Sequence, residues 1–488
     1  MAAAAGALFG AATAAAATVG AIFGGGALLG AVIIVGTVAL ATKAIKRKQE
    51  QRRAQQASIS GVLVTKSGTT APIPVVYGER RVAGTRVFVD SEGDKNNYLH
   101  VVETLAEGPI EGCTEVYLAD ELAATSSDNG ATWTIESNYS GLLDLKFFDG
   151  SQTARISSNV HGRSPHSNWP ANAVGVDTAY VYLVAEFDQD KFGGGLPAIT
   201  YKIKGKKLPA IGSNYNTTLT YSDEPARCIY DYLISPTYGK AIPYTLIDAT
   251  SFNSAATYNS QSVQKTATPS DGNETRYTCN AYIDTSSPVL TNIEELFTTC
   301  RAGLITGDTY KFIQDRPVTP LNISIDDDNI VGNLSYFQAN KKTLLNHIRT
   351  TFPNSSSDFN FQEDISVVEN TTLQNSSNDG LKLSRDIELA HTTSKTMADR
   401  ISTEEINQSR QSGIIVVKVD PSMIDLTVGD VVKFSNSTLG QTDKYYRILQ
   451  TMLSSDHQLE LNMREYDANV FWDNNKAIIT NNKDDTDH

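Results

Sequence analysis

Apolar and small residues run from Met1 to Thr42 without one charged side chain, and the chain then turns basic at Lys43, Lys46, Arg47, Lys48, Arg52 and Arg53. Forty-two residues of helix extend about 63 Å, about twice the hydrocarbon thickness of a bilayer. The pattern predicts one long apolar helix, or a hairpin broken near Gly24-Gly25-Gly26. Gly6/Gly10, Gly20/Gly24 and Gly26/Gly30 have GxxxG spacing, which lets helices approach closely. Ala/Gly-rich sequence also produces such spacings by chance. The segment is not patterned as a signal peptide, because no positive charge precedes the run and the run is far longer than about 7–15 residues. The basic cluster belongs on the side of the body that follows.

From Ala54 onward the pattern changes to short alternating runs. Ser58–Thr70 reads as a strand and turn. Further strands are predicted at Ile73–Tyr77, Arg86–Val89, Tyr98–Leu105, Thr114–Leu118, Ala179–Phe187 and Ile199–Ile203, each bounded by turn residues. Apolar positions at helical spacing predict helices at Glu224–Ser235, capped by Ser222 or Asp223, and at Asn292–Arg301, with Ile293, Leu296, Phe297 and Cys300 on one face. A third helix is expected around His391–Gln411. Strands follow at Ile414–Val419, Val431–Phe434, Tyr445–Leu453 and Gln458–Arg464. The resulting division is an apolar helical segment with its basic flank (1–54), a β-rich region (55–205), an α+β region (206–318), a second β-rich region with a helix (319–472) and a polar acidic tail (473–488). The fold class is mainly β with α+β parts, preceded by an apolar helical N-terminus.

Composition narrows the function classes. At 488 residues the chain is long enough for roughly three or four folded units. Six basic residues and Glu50 give Lys43–Arg53 a charge of +5; taken from the overall −14, this leaves −19 for the rest. So acidic a body lacks the footprint of a nucleic-acid binder. Cys113, Cys228, Cys279 and Cys300 are widely spaced with no CxxC, which argues against a zinc or iron–sulfur site and for buried thiols in a reducing compartment. Asp326-Asp327-Asp328 lacks the spacing of a calcium loop, and Glu404-Glu405 reads as a solvated helix face. His391 reads as a surface residue. No HExxH, GxSxG or Gly-rich phosphate loop occurs, so no catalytic site, metal or cofactor is expected.

Several segments, taken in order, carry a resemblance. They begin with Pro72-Ile73-Pro74-Val75-Val76-Tyr77-Gly78-Glu79-Arg80-Arg81-Val82 and continue with Leu105-Ala106-Glu107-Gly108-Pro109-Ile110. Next come Leu196-Pro197-Ala198-Ile199 with Lys204-Gly205-Lys206-Lys207, then Asp231-Tyr232-Leu233-Ile234-Ser235-Pro236-Thr237-Tyr238-Gly239. Arg276-Tyr277-Thr278-Cys279-Asn280, Cys300-Arg301-Ala302-Gly303-Leu304, Leu426-Thr427-Val428-Gly429-Asp430-Val431, Tyr446-Arg447-Ile448 and Glu465-Tyr466-Asp467 complete the series. In this order they resemble the central tail hub family, the hub part of the tip attachment protein J of lambda-like phages, over about residues 60–472. One departure is Asp223-Glu224-Pro225-Ala226, where the family usually has a polar, uncharged residue before Asn-Pro-Ala. Another is that the chain stops soon after Trp472, without the family's receptor-binding extension. The apolar N-terminus is a third.

The resemblance implies a homotrimer closing the distal end of the tail tube, with two tube-like β-barrel domains per chain forming a quasi-sixfold ring. It implies a virion protein that contacts the tail tube or distal tail protein and the tape-measure protein, with receptor recognition left to separate tail proteins or fibres. An acidic lumen would let exiting DNA pass without sticking. Met1–Thr42 then has two readings that the residues leave open, a static plug in the lumen or an element that enters the host membrane during genome delivery. The competing classes are a membrane-anchored bacterial surface protein and a tail-associated hydrolase.

Overall fold

The structure is a computed structural model that describes residues 33–35, 66–67, 71–154, 172–212, 214, 217–338, 343–357, 365–411, 413–453 and 458–473. Among these, 39% lie in strands and 20% in helices, so the mainly β class read from the alternation holds.

Two sheets make the first β unit. The five-stranded sheet has the order Leu143–Phe148, Thr178–Glu186, Tyr98–Glu107, Thr85–Glu92, Lys66–Ser67. The other is built on the long strand Ile199–Leu208, which pairs with Ile110–Leu118 along one side. Its other side pairs with Glu79–Ala83 and then with Thr220–Tyr221. Side chains alternate across a strand, so Val101, Leu105, Val181 and Leu183 of the first sheet meet Val116, Leu118, Ile199 and Ile203 of the second in one core. The intervening Val102, Tyr180, Tyr182 and Val184 lie on the opposite face and are also buried.

The second β unit is one six-stranded sheet, ordered Ser324–Ile325, Val431–Asn436, Gln441–Leu453, Leu459–Glu465, Gly413–Val419, Ser335–Gln338. Its core includes Ile415, Val417, Phe434, Tyr446, Ile448, Leu461 and Met463. Between the two units lies a third core, formed by the helices Pro225–Ile234, Ala249–Asn259 and Val289–Thr298 and the hairpin Ala302–Thr306/Tyr310–Gln314. The helix Lys395–Ser409 gives Met397, Ala398 and Ile401 to this core. Its Ile406 packs on the small sheet of Ile365–Glu369, His347–Thr351 and Ser384–Glu388.

Apart from Ser58–Thr70, of which Lys66–Ser67 alone lies among the described residues, the expected strands of both β regions are present; most are longer by one to five residues, while Ile73–Tyr77 shortens to Val75–Tyr77. The helices differ in detail. Glu224, not Ser222 or Asp223, caps the Pro225–Ile234 helix, with its carboxylate accepting from the Ala226 and Arg227 amides. Ala249–Asn259 has no counterpart in the sequence reading, because ATSFNSAATYN is rich in Ser, Thr and Asn and buries little beyond Phe252, Ala255 and Tyr258. The last helix starts at Lys395 behind the Ser394 cap, so His391 precedes it. His391 is buried rather than at the surface, and Glu404 and Glu405 are buried rather than solvated. All four cysteines are buried and free, as expected of small apolar residues. In the N-terminal segment, the described residues Ile33–Val35 form a strand where a helix was expected. They fall in the β-branched run Val32-Ile33-Ile34-Val35, which favours extended backbone. The positions Gly6, Gly10, Gly20, Gly24, Gly26, Gly30, Lys43, Lys46, Arg47 and Lys48 lie outside the described residues. Among the described residues no helix is long and apolar enough to cross a membrane.

Candidate functional site

The segments that carried the resemblance are far apart in sequence, and the fold brings most of them to one place. Val75–Tyr77 pairs with Ala281–Ile283 and lies between two cores. By alternation Val75 and Tyr77 enter the central α+β core, while Val76 enters the core of the first β unit. Gly78 follows in a left-handed conformation with φ of 64°. A side chain there would overlap the Cys279 carbonyl and Asn280. In its absence Asn280 reaches the Glu79 amide at 2.8 Å, and its amide nitrogen donates to Thr393 Oγ1 at 2.7 Å.

Asp231 is the centre of this junction. Its Oδ2 accepts from the Tyr77 hydroxyl and from the Tyr238 hydroxyl, each at 2.7 Å. Burial pushes the Asp231 carboxyl above its ordinary range, against the pull of the two hydroxyls and of Lys206. Burial likewise lowers the Lys206 ammonium. Lys206 donates to the Gly108 carbonyl at 2.5 Å and stands 5.1 Å over the Tyr238 ring. Tyr232 accepts from Asn292 at 2.9 Å, and the Leu233 carbonyl accepts from the Ile242 amide. At Gly239 a Cβ would overlap the Tyr232 carbonyl oxygen, so only glycine allows the chain to close behind the helix.

Gly108 and Pro109 lie at the same end of the first β unit, with the Gly108 amide 2.7 Å from the Asp177 carbonyl. The Pro74 carbonyl accepts from the Glu107 amide, while Pro72 is exposed. Arg81 lies farther along. It donates to Thr200 at 2.7 Å, pairs with Asp120 and stacks 4.1 Å over Tyr117. Gly429 and Asp430 are not part of this junction. They close a turn before Val431–Asn436, in which the Asp430 carboxylate accepts from the Thr427 amide.

A second buried junction joins the central core to the second β unit. Arg301 pairs with Glu404 at 2.9 Å and with Asp315 at 2.5 Å, and Arg447 pairs with Asp315 at 2.7 Å. Glu404 also accepts from the Tyr277 hydroxyl and the Trp472 amide. Burial opposes charge on Asp315, but Arg301, Arg447 and Arg464 outweigh it and hold the carboxyl at about 2. The sequence reading missed Glu404 and Asp315. A usable signal was the i, i+4 pair Arg400/Glu404 on the helix face that also carries Met397 and Ile401. Among the described residues no group of three His, Cys, Asp or Glu is arranged to hold a metal. Asp327 instead accepts from Asn436 and from the Ser437 amide. Both junctions position backbone, and Asp315 and Arg447 of the second also line a small pocket with Arg464, Tyr466 and Phe471.

Asp231→Ala strands two buried hydroxyls and should cost about 2–4 kcal/mol, whereas Asp231→Asn keeps an acceptor and should cost under about 1 kcal/mol. A carboxyl raised in the folded state contributes fully below its unfolded value and less as pH rises through the folded one, so denaturant melts should show Asp231→Asn gaining on wild type as pH increases. Asp315 has the opposite sign. Its contribution, about 2 kcal/mol, is complete above about pH 4 and should disappear as pH falls from about 4 towards 2. Asp315→Ala leaves Arg447 without its carboxylate and Arg301 with Glu404 alone, and should cost about 3–5 kcal/mol at pH 7, a difference that narrows on acidification.

No family model matches the chain. The baseplate hub protein pb3 of Escherichia phage T5 is 21% identical over 82% of this chain and 48% of its own length. The tip attachment protein J of Escherichia phage SECphi27 is 24% identical over 39% of this chain and 17% of its own length. This chain therefore spans about half the length of the first relative and less of the second. A chain from the virion of a native gene transfer agent particle has a similar fold, with a TM-score of 0.53 at 15% identity over 84% of this chain and 88% of that one. Sequence relatives and ordered motifs agree on a phage tail hub or tip protein carried in the virion.

Proposed function

We propose that this chain acts as a homotrimeric hub at the distal end of a phage tail and forms part of the path by which DNA leaves. The observation that carries the reading is the alignment with a baseplate hub protein along 82% of the chain. The architecture supports it, because two β units are held to a central core by buried polar junctions that tolerate little relative movement. In this reading each chain gives two β units to the ring, so three chains present six to the tube above. The partners are the tail tube or distal tail protein, the tape-measure protein and separate receptor-binding proteins. The role is structural rather than catalytic. Along the chain, residues 55–205 and 319–472 supply the ring-forming regions and 206–318 the part between them.

Imaging of the assembled particle with symmetry determined about the tail axis should give three copies; two or six copies would overturn the trimer. The apolar segment Met1–Thr42 would serve either as a lumen plug or as an element released into the host envelope. Triggered tails should make liposomes leak, and deletion of residues 1–42 should abolish the leakage. Leakage that survives the deletion assigns membrane entry to another protein.

A further inference from the structure

The hairpin Ala302–Thr306/Tyr310–Gln314 has two edges, and they are treated differently. On the Tyr310–Gln314 side the backbone is occupied by neighbouring elements of the central core. The Asp248 amide donates to the Tyr310 carbonyl at 2.9 Å, and the Phe312 amide donates to Ser251 Oγ at 2.9 Å at the start of the Ala249–Asn259 helix. On the Ala302–Thr306 side the strand that pairs is Ile33–Val35, antiparallel, with Ile33 opposite Ile305, Ile34 opposite Leu304 and Val35 opposite Gly303. An edge strand left open is a template for any extended segment. Among the described residues, that template is filled from the uncharged N-terminus, 267 positions before Ala302 in the chain.

We infer that the Ala302–Thr306 edge is a strand-addition site for the chain's own apolar N-terminus, which it holds as a detachable third strand before release. The inference rests on the reading that Met1–Thr42 is stored in the assembled tail, and it names where and how the storage is done. Three features fit this use. Main-chain pairing needs only an extended, β-capable segment, and the run Val32-Ile33-Ile34-Val35 is the β-branched part of a segment otherwise dominated by Ala and Gly. The receiving strand is anchored, since Ala302 and Leu304 are buried in the central core and the preceding Arg301 is fixed by Glu404 and Asp315. The added strand is three residues long, so it forms few hydrogen bonds and can be displaced without unfolding the hairpin beneath it. Whatever shifts the Arg301 junction acts directly on the edge that holds the strand.

Amide hydrogen exchange on the full chain tests this. In wild type, amides of Ala302–Thr306 and Ile33–Val35 should both be protected. Ile33→Pro/Ile34→Pro removes donors from the added strand whichever way its hydrogen bonds alternate. It should accelerate exchange at Ala302–Thr306 by about tenfold or more while leaving Leu459–Glu465 unchanged. Deletion of residues 1–42 should reproduce the effect without introducing proline. Unchanged exchange at Ala302–Thr306 in the deletion variant overturns the inference. Protection that appears only as protein concentration is raised also overturns it, and makes the occupant a second copy. Because the isolated chain is measured without tails or lipid, failure here is distinct from failure of the liposome experiment, which reads the destination of the segment.

Discussion

Val75–Tyr77 is three residues long, and the arrangement of the molecule depends on which way its side chains point. Two of them enter the central core and one enters the core of the first β unit, so the strand belongs to both. A slip of one residue would exchange the two sets and expose apolar surface on both sides. The register is held by groups that have no substitute nearby: the Tyr77 hydroxyl on Asp231, the left-handed Gly78 and the Asn280 side chain on the Glu79 amide. Asp231 is buried, and its two hydroxyl donors replace the water it has lost.

The second β unit is attached by a different kind of interaction. Arg301, Asp315, Glu404 and Arg447 form a network in which each charge is buried and each has an opposite partner. Such networks add less net stability than their Coulomb attraction suggests, because desolvation offsets much of it. They are intolerant of misalignment, since any shift leaves a charge unpaired. In the proposed hub, that intolerance is the useful property. The two junctions differ in acid response, because burial raises the Asp231 carboxyl while arginines lower that of Asp315. Acidification therefore removes the contribution of Asp315 and favours the protonated form of Asp231.

Much of the candidate site could be read before the fold was known, though not its assembly. Tyr77, Gly78, Gly108, Asp231, Tyr232 and Gly239 stand in segments whose order resembles the hub family, and they converge on one junction. Gly429 and Asp430, from the same series of motifs, serve a local turn elsewhere. The pattern did not separate the two cases because a glycine required by a distant carbonyl looks the same as one required by a turn. Glu404 was read as solvated because adjacent acids usually are. Its burial depends on Arg301, 103 positions away.

The alternation of apolar and polar residues by itself determined most strands of the two large β units, the mainly β class and the helices Pro225–Ile234 and Val289–Thr298, because those follow from periodicity along the chain. The uncharged N-terminus was equally plain, as was the acidic body that disfavours nucleic-acid binding. The tertiary structure alone decided which strand lies between two cores, which acids are buried and paired, and that part of an expected helix forms a strand on the Ala302–Thr306 edge. Those outcomes depend on what stands opposite each residue, and the partners are separated by up to 272 positions, as Ile33 is from Ile305. Local pattern carries no information about a partner so far away.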